Sequence, residues 1–305
     1  GSAASDAVIK MRSVFGTAME QHIMDADAET LKQHTTVVEL LEQGSVRLCA
    51  DSSEELSAQL KEQIDSENET AHGAKWPLIK VVKMSGPWAA LSAGVRLVDA
   101  PGLHDDNTAR ANVVKSYLAQ ADAILLVSNI KRAVNDKTTK DLMTLELRSR
   151  LASEGRLGQL SFVATQTDEL VRSEIQDNLR LSSETTTIDC SLARNTFTKD
   201  KLTTDFWTGI APALCPVNRV GDVGFAFPVF TCSSIDFQKT SGIRTDDGPP
   251  KVFPAPAATE LPALRGFIRA VAQQFSDDHA DSSTPAWTKA GTMLLDVLSK
   301  KKDGA

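Results

Sequence analysis

The 305-residue sequence predicts an α/β domain with a mixed, mainly parallel sheet flanked by helices. Three observations carry this reading. Short apolar runs at 95–98, 123–127, 161–164 and 227–231 alternate with longer segments whose apolar residues recur at helical spacing, the pattern of strand–helix units. The run AILLV at 123–127 is continuously apolar, as a strand covered on both faces requires. Three of the runs also end in a short polar signature: Asp99-Ala-Pro-Gly102, Thr165-Gln-Thr-Asp168 and Cys232-Ser-Ser234. In α/β sheets, ligands bind outside the carboxyl ends of the strands.

Taken in order, AVIKMRSV at 7–14 reads as a half-buried strand. Asp25 and Asp27 offer N-cap chemistry for a helix carrying Leu31, Val38 and Leu41, with Gly44 as its stop. Ser52 with Glu55 forms a capping-box pattern ahead of Leu56, Leu60 and Ile64. A polar loop at 66–75 leads into Trp76-Pro77 and an expected strand at 78–84. After a Gly86-Pro87 turn comes the strand at 95–98, so the two are expected to pair antiparallel at a sheet edge. Asn107 or Thr108 can cap a helix carrying Val113, Tyr117 and Leu118, which leads to the strand at 123–127.

Asp136 starts a further helix with Leu142, Leu145 and Leu147. The strand at 161–164 runs into Thr165–Asp168, followed by helices at 169–181 and 191–206 and a strand at 227–231. Residues 239–256, rich in Gly, Pro and Asp, read as a loop. Thr259 is expected to cap a helix that buries Leu264, Phe267, Ile268 and Val271, and residues 287–298 read as a last amphipathic helix. The expected organisation is one domain over 1–275 and the start of a helical region over 276–305.

Composition narrows the function classes. A net charge of −7 argues against non-specific nucleic-acid binding, which needs a basic surface. No apolar stretch reaches 18 residues, so no transmembrane helix is expected, and no secretory signal opens the chain. An intracellular setting, cytoplasmic or nuclear, follows. Cys49, Cys190, Cys215 and Cys232, like the five histidines, lack metal-ligand spacing. Lys300, Lys301 and Lys302 read first as a solvated tail.

The three signatures suit a nucleotide. A carboxylate after one strand can hold Mg²⁺ through water, and a nearby glycine amide can approach a γ-phosphate. A carboxylate after a later strand can accept the N1 and N2 hydrogens of guanine, and amides after a third can meet its O6. Each signature alone reads as a strand-ending turn; three in order favour the site.

Asp99-Ala-Pro-Gly-Leu103 resembles the DxPG motif of the dynamin superfamily of large GTPases. Trp76-Pro-Leu-Ile79, the run from Val98 to Asn107 with Arg110, Lys131-Arg-Ala133 and Asp136-Lys-Thr138 resemble its nuclear, fungal-abundant branch. The resemblance implies a P-loop GTPase-type fold using GTP and Mg²⁺, with self-association through the GTPase face or an unknown protein partner. It makes Asp99 the carboxylate that holds magnesium through water and Gly102 the γ-phosphate amide. Thr165 and Asp168 open and close the base motif, Asp168 specifying guanine, and Ser233 with Ser234 form the loop beneath the base. Leu103 stands where small GTPases place a catalytic glutamine, and the catalytic residue is unassigned.

Three departures stand beside the resemblance. No Gly-x-x-x-x-Gly-Lys-Ser/Thr occurs in the sequence, and that loop supplies the amides and lysine that hold the β- and γ-phosphates. Residues 2–8 align with the family's switch I, with Asp6 at its magnesium-ligating threonine. The chain is thus expected to lack the first strand, the P-loop and its helix. Gln166 replaces the lysine of Thr/Asn-Lys-x-Asp. The implied activities are therefore a partial GTP-binding domain with little hydrolysis of its own or, alternatively, a pseudo-GTPase interaction module. An unrelated α/β hydrolase is disfavoured because no Gly-x-Ser-x-Gly elbow occurs. His104, Asp105, Arg110 and Arg132 read as solvated or structural charges, and Trp88, Trp207 and Trp287 as packing residues.

Overall fold

The structure, a computed structural model, describes residues 2–15, 42–64, 75–92, 94–100, 121–134, 160–209, 227–278 and 292–297, with 29, 37, 38 and 117 singly. It divides into two compact units, Gly1–Gly86 and Pro87–Ala305. The helix Leu261–Asp278 runs through residue 275.

In the first unit, α1 spans Ser2–Phe15, where a strand was expected. The reason is legible in hindsight: Met11, Val14 and Phe15 repeat at helical spacing, Val14 is buried, and Ala3, Ala4 and Ala7 favour helix. The second helix, α2, spans Ser53–Ile64. Its expected cap forms, with the Glu55 amide donating to Ser52 Oγ at 3.1 Å. Gly44 stands at φ 60°, as a left-handed helix stop requires. The strand expected at 78–84 is absent: Trp76–Leu78 is a 3₁₀ turn, and Val81, Val82 and Met84 are exposed. No antiparallel edge pair forms among the described residues.

The second unit holds a five-stranded sheet in the order β1-β5-β2-β3-β4. Its strands are β1 (Arg96–Ala100), β2 (Ala123–Asn129), β3 (Leu160–Thr165), β4 (Val229–Thr231) and β5 (Thr292–Val297). Every pairing among the described residues is parallel. The helix expected at 287–298 is instead β5, seated between β1 and β2. The short apolar stretch 293–295 does not distinguish strand from helix by periodicity, and strand pairing decided the outcome.

Alternation along β2 and β3 builds two cores. Ile124, Leu126, Leu160 and Phe162 face one side with Leu202, Phe206 and Phe227. Ala123, Leu125, Val127 and Val163 face the other with Leu264, Ile268 and Val271. A strand presents successive side chains to opposite faces, so each face takes its own helix. These helices are α5 (Thr187–Gly209) and α7 (Leu261–Asp278). Phe206 and Phe227 stack with centroids 4.1 Å apart, and Trp207 packs at the margin of this core. Trp88 is exposed instead of packed.

Shorter helices complete the unit: α3 (Ile130–Ala133), α4 (Arg172–Leu179) and α6 (Ser234–Thr240). A Thr186–Asp189 hydroxyl–carboxylate contact of 2.6 Å, with the Asp189 amide donating back to Thr186 Oγ1, starts α5 earlier than expected. Thr259 lies inside the 3₁₀ turn Pro256–Thr259, its hydroxyl donating to Pro256 O, so it does not cap α7. The expected helices at 25–44, 107–118 and 136–147 lie largely outside the described residues.

Candidate functional site

Because the strands are parallel, their carboxyl ends share one edge. Asn129 pairs with Thr165, and Ala164 with Thr231, so the loops after β2, β3 and β4 meet there. Asp99 on β1 does not reach that edge: through Leu295 and Leu125 it is level with Ser161, four residues short of Thr165. It is also three strand positions from β3, about 14 Å across the sheet at strand spacing. Gly102, Leu103, His104, Asp105 and Arg110 lie outside the described residues.

The loop after β3 carries the densest contacts. Thr165 ends the strand, and its hydroxyl donates to Ser128 O at 3.3 Å. Gln166 follows with φ 59°, a left-handed conformation few side chains adopt. Its Oε1 accepts from Asn129 Nδ2, while Asn129 Oδ1 accepts the Lys131 amide and starts α3. The turn therefore aims Gln166 at the neighbouring strand end, and this carboxamide pair holds it there. Lys131 reaches Glu169 at 3.6 Å on the exposed rim.

Asp168 is 5% exposed, and two groups hold its loop from behind. Arg194 on α5 donates to Thr167 O at 2.7 Å and Glu169 O at 3.0 Å. Ser191 adds a bond to Thr167 O at 3.1 Å. Burial pulls the Arg194 guanidinium down to about 10, and the negative Asp168 opposes that fall. A guanidinium with this pKa stays charged at neutral pH, so it remains a full donor.

The loop after β4 meets Asp168 from the other side. The Ser233 hydroxyl donates to Asp168 Oδ1 at 2.7 Å and accepts the Asp236 amide at 3.2 Å, capping α6. The Ser233 amide is committed to Thr259 O at 3.2 Å. Of the two amides expected beneath a base, that leaves Ser234's, on the exposed first residue of α6. The Asp236 carboxylate, fully buried, accepts three successive amides: Lys251 at 2.7 Å, and Val252 and Phe253 at 2.9 Å each. This fixes the end of the Gly/Pro-rich loop against α6. It also sets Lys251 Nζ 3.9 Å from Asp168 Oδ2.

Two further groups are structural. Glu260 accepts the Thr231 amide at 2.8 Å and Lys199 Nζ at 2.5 Å, anchoring the end of β4. Burial, with Glu260 nearby, pushes the Cys232 thiol up to about 12, so it is no nucleophile at neutral pH. Asp99 is partly exposed, and desolvation raises its carboxyl above the ordinary range. No cluster of three or more His, Cys, Asp or Glu suited to a metal occurs among the described residues. Asp99 by itself does not make a magnesium site.

Arg194, Asp236 and Lys251 were not anticipated as site residues. Asp236 carried a signal, because Ser233-x-x-Asp236 is a capping-box spacing. Arg194 and Lys251 reach the site through tertiary packing and left no local pattern.

The described residues form an α/β domain on a parallel sheet, and comparison shows that the chain is similar to GTPases of the dynamin family. The model of the dynamin family matches residues 11–151. Over 241 residues the chain is 27% identical to the nuclear GTPase SLIP-GC of Mus musculus, covering 74% of this chain and 27% of that protein. Against the nuclear GTPase SLIP-GC of Homo sapiens it is 26% identical over 266 residues, covering 82% and 30%. The chain thus spans less than a third of the length of these relatives. No solved structure matches it. No helix among the described residues is long and apolar enough to cross a membrane.

Proposed function

We propose that this chain carries the base-recognition half of a GTP-binding site, with Asp168 accepting the N1 and N2 hydrogens of guanine. One observation carries this reading. Asp168 sits at the shared carboxyl edge with one oxygen satisfied by Ser233 and its loop held by Arg194, so its second oxygen is pre-positioned. A fixed acceptor loses little freedom on binding, which favours recognition.

A nucleotide bound at Asp168 would extend its phosphates towards β1, the strand that carries Asp99. Asp99 and Gly102 are the proposed phosphate and magnesium-side residues, Thr165 supports the base motif, and Ser234 supplies the amide beneath the base. Hydrolysis is assigned to the longer protein, because the 305 residues hold no Gly-x-x-x-x-Gly-Lys-Ser/Thr. A pseudo-GTPase acting through a protein partner is the second reading, and the same missing motif favours it.

Equilibrium titration with GDP and ADP tests the proposal. Selective GDP binding that Asp168→Ala abolishes is expected, with no magnesium-dependent GTP turnover. Equal affinity for both nucleotides, or binding indifferent to Asp168→Ala, contradicts it.

A further inference from the structure

We propose that Lys251 is a specificity-determining residue that donates to the C6 carbonyl of guanine while Asp168 accepts from N1 and N2. This rests on the guanine reading above and adds a second reader to it. The contacts form a closed ring. Ser233 Oγ donates to Asp168 Oδ1, the Asp236 amide donates to Ser233 Oγ, and the Lys251 amide donates to Asp236 Oδ1. Lys251 Nζ then returns to within 3.9 Å of Asp168 Oδ2.

Within this ring the Lys251 backbone is fixed by a buried carboxylate, while its side chain is 57% exposed. The ammonium therefore stands beside the one Asp168 oxygen that Ser233 leaves open. At 3.9 Å in solvent the ion pair itself is weak, so the head can turn to a ligand at small cost. Apart from the Ser234 amide, the groups nearest the base position are held elsewhere by their main contacts. Gln166 is paired with Asn129, Arg194 with the carbonyls of Thr167 and Glu169, Lys131 with Glu169, and the Ser233 amide with Thr259 O.

The chemistry matches one base. The pairing edge of guanine presents an acceptor, O6, directly beside two donors, N1–H and N2–H₂. A carboxylate only accepts and an ammonium only donates, so Asp168 and Lys251 together read that order. Adenine presents an amino donor where guanine has O6. Lys251 would then face a donor with nothing to accept its proton, a mismatch that discriminates strongly.

The experiment compares GDP and ADP affinities by calorimetry for the wild-type chain, Lys251→Met and Lys251→Arg. Because Lys251 is an exposed rim residue, unchanged melting temperatures are expected. Losing a hydrogen bond to a charged group predicts about tenfold weaker GDP binding for Lys251→Met. ADP affinity should hold or rise as that mismatch is removed, and Lys251→Arg should recover most of the GDP loss. An unchanged or larger GDP-to-ADP preference in Lys251→Met overturns the assignment but leaves the Asp168 reading intact. A wild-type chain without GDP preference overturns both.

Discussion

The Ser233 hydroxyl donates to Asp168 Oδ1 across 2.7 Å, joining loops 65 residues apart after two neighbouring strands. The same oxygen accepts the Asp236 amide and starts α6. Ser233→Ala therefore removes a helix cap and strands a buried carboxylate oxygen at once. A loss of about 2–4 kcal/mol is expected, read by urea denaturation, with weaker guanine-nucleotide binding. A change below about 0.5 kcal/mol would show that the hydroxyl holds nothing.

Arg194 supports the base loop from behind through two carbonyls. Arg194→Met removes both bonds, leaving Thr167 O with Ser191 alone, and should destabilise the domain by about 2–4 kcal/mol. Arg194→Lys keeps the charge but not the planar fork, so it should recover less than half. Full recovery by lysine in the same denaturation series would show that charge alone matters.

Asp236 ties three successive amides of the 251–253 segment. Asp236→Ala should raise hydrogen exchange at Lys251, Val252 and Phe253 by at least tenfold while β2 and β3 stay protected. Exchange that rises equally across the sheet would mean global unfolding in place of local release.

The raised Asp99 carboxyl sets a pH dependence. Its folded value lies above the unfolded one, so its stabilising contribution is complete below the unfolded pKa. That contribution is lost as pH rises through the raised folded pKa. Asp99→Asn should therefore raise the melting temperature at neutral pH and lose that advantage in acid. A gain of equal size at acid and neutral pH would contradict the desolvation account.

Much of the parallel sheet was legible in the sequence because β2 opens on the unbroken apolar run 123–127 and β3 is apolar apart from Ser161 and Thr165, as strands covered on both faces are. Asp168 and Ser233 were legible because each follows such a strand. Local pattern failed where it was ambiguous. Residues 7–14 suit either period, and 78–84, apolar but for Lys80 and Lys83, pairs with no strand among the described residues. The run TMLLDV became β5 through pairing with β1 and β2, which no local feature records. Lys251 could not be found from its own neighbourhood, because Asp236, fifteen positions earlier, decides where it stands.

Exchanging one atom of Asp168 tests the central claim most directly. Asp168→Asn can keep Oδ1 as the acceptor of Ser233 and present an amide donor where Oδ2 now stands. Xanthine carries a carbonyl at C2 where guanine carries an amino group, so a donor there suits xanthine and opposes guanine. Calorimetric titration with GDP and xanthosine diphosphate should show the wild-type chain preferring GDP and Asp168→Asn preferring xanthosine diphosphate, each by more than about tenfold. If Asp168→Asn retains the wild-type preference, Asp168 does not read the base, and the site assigned to this edge of the sheet is wrong.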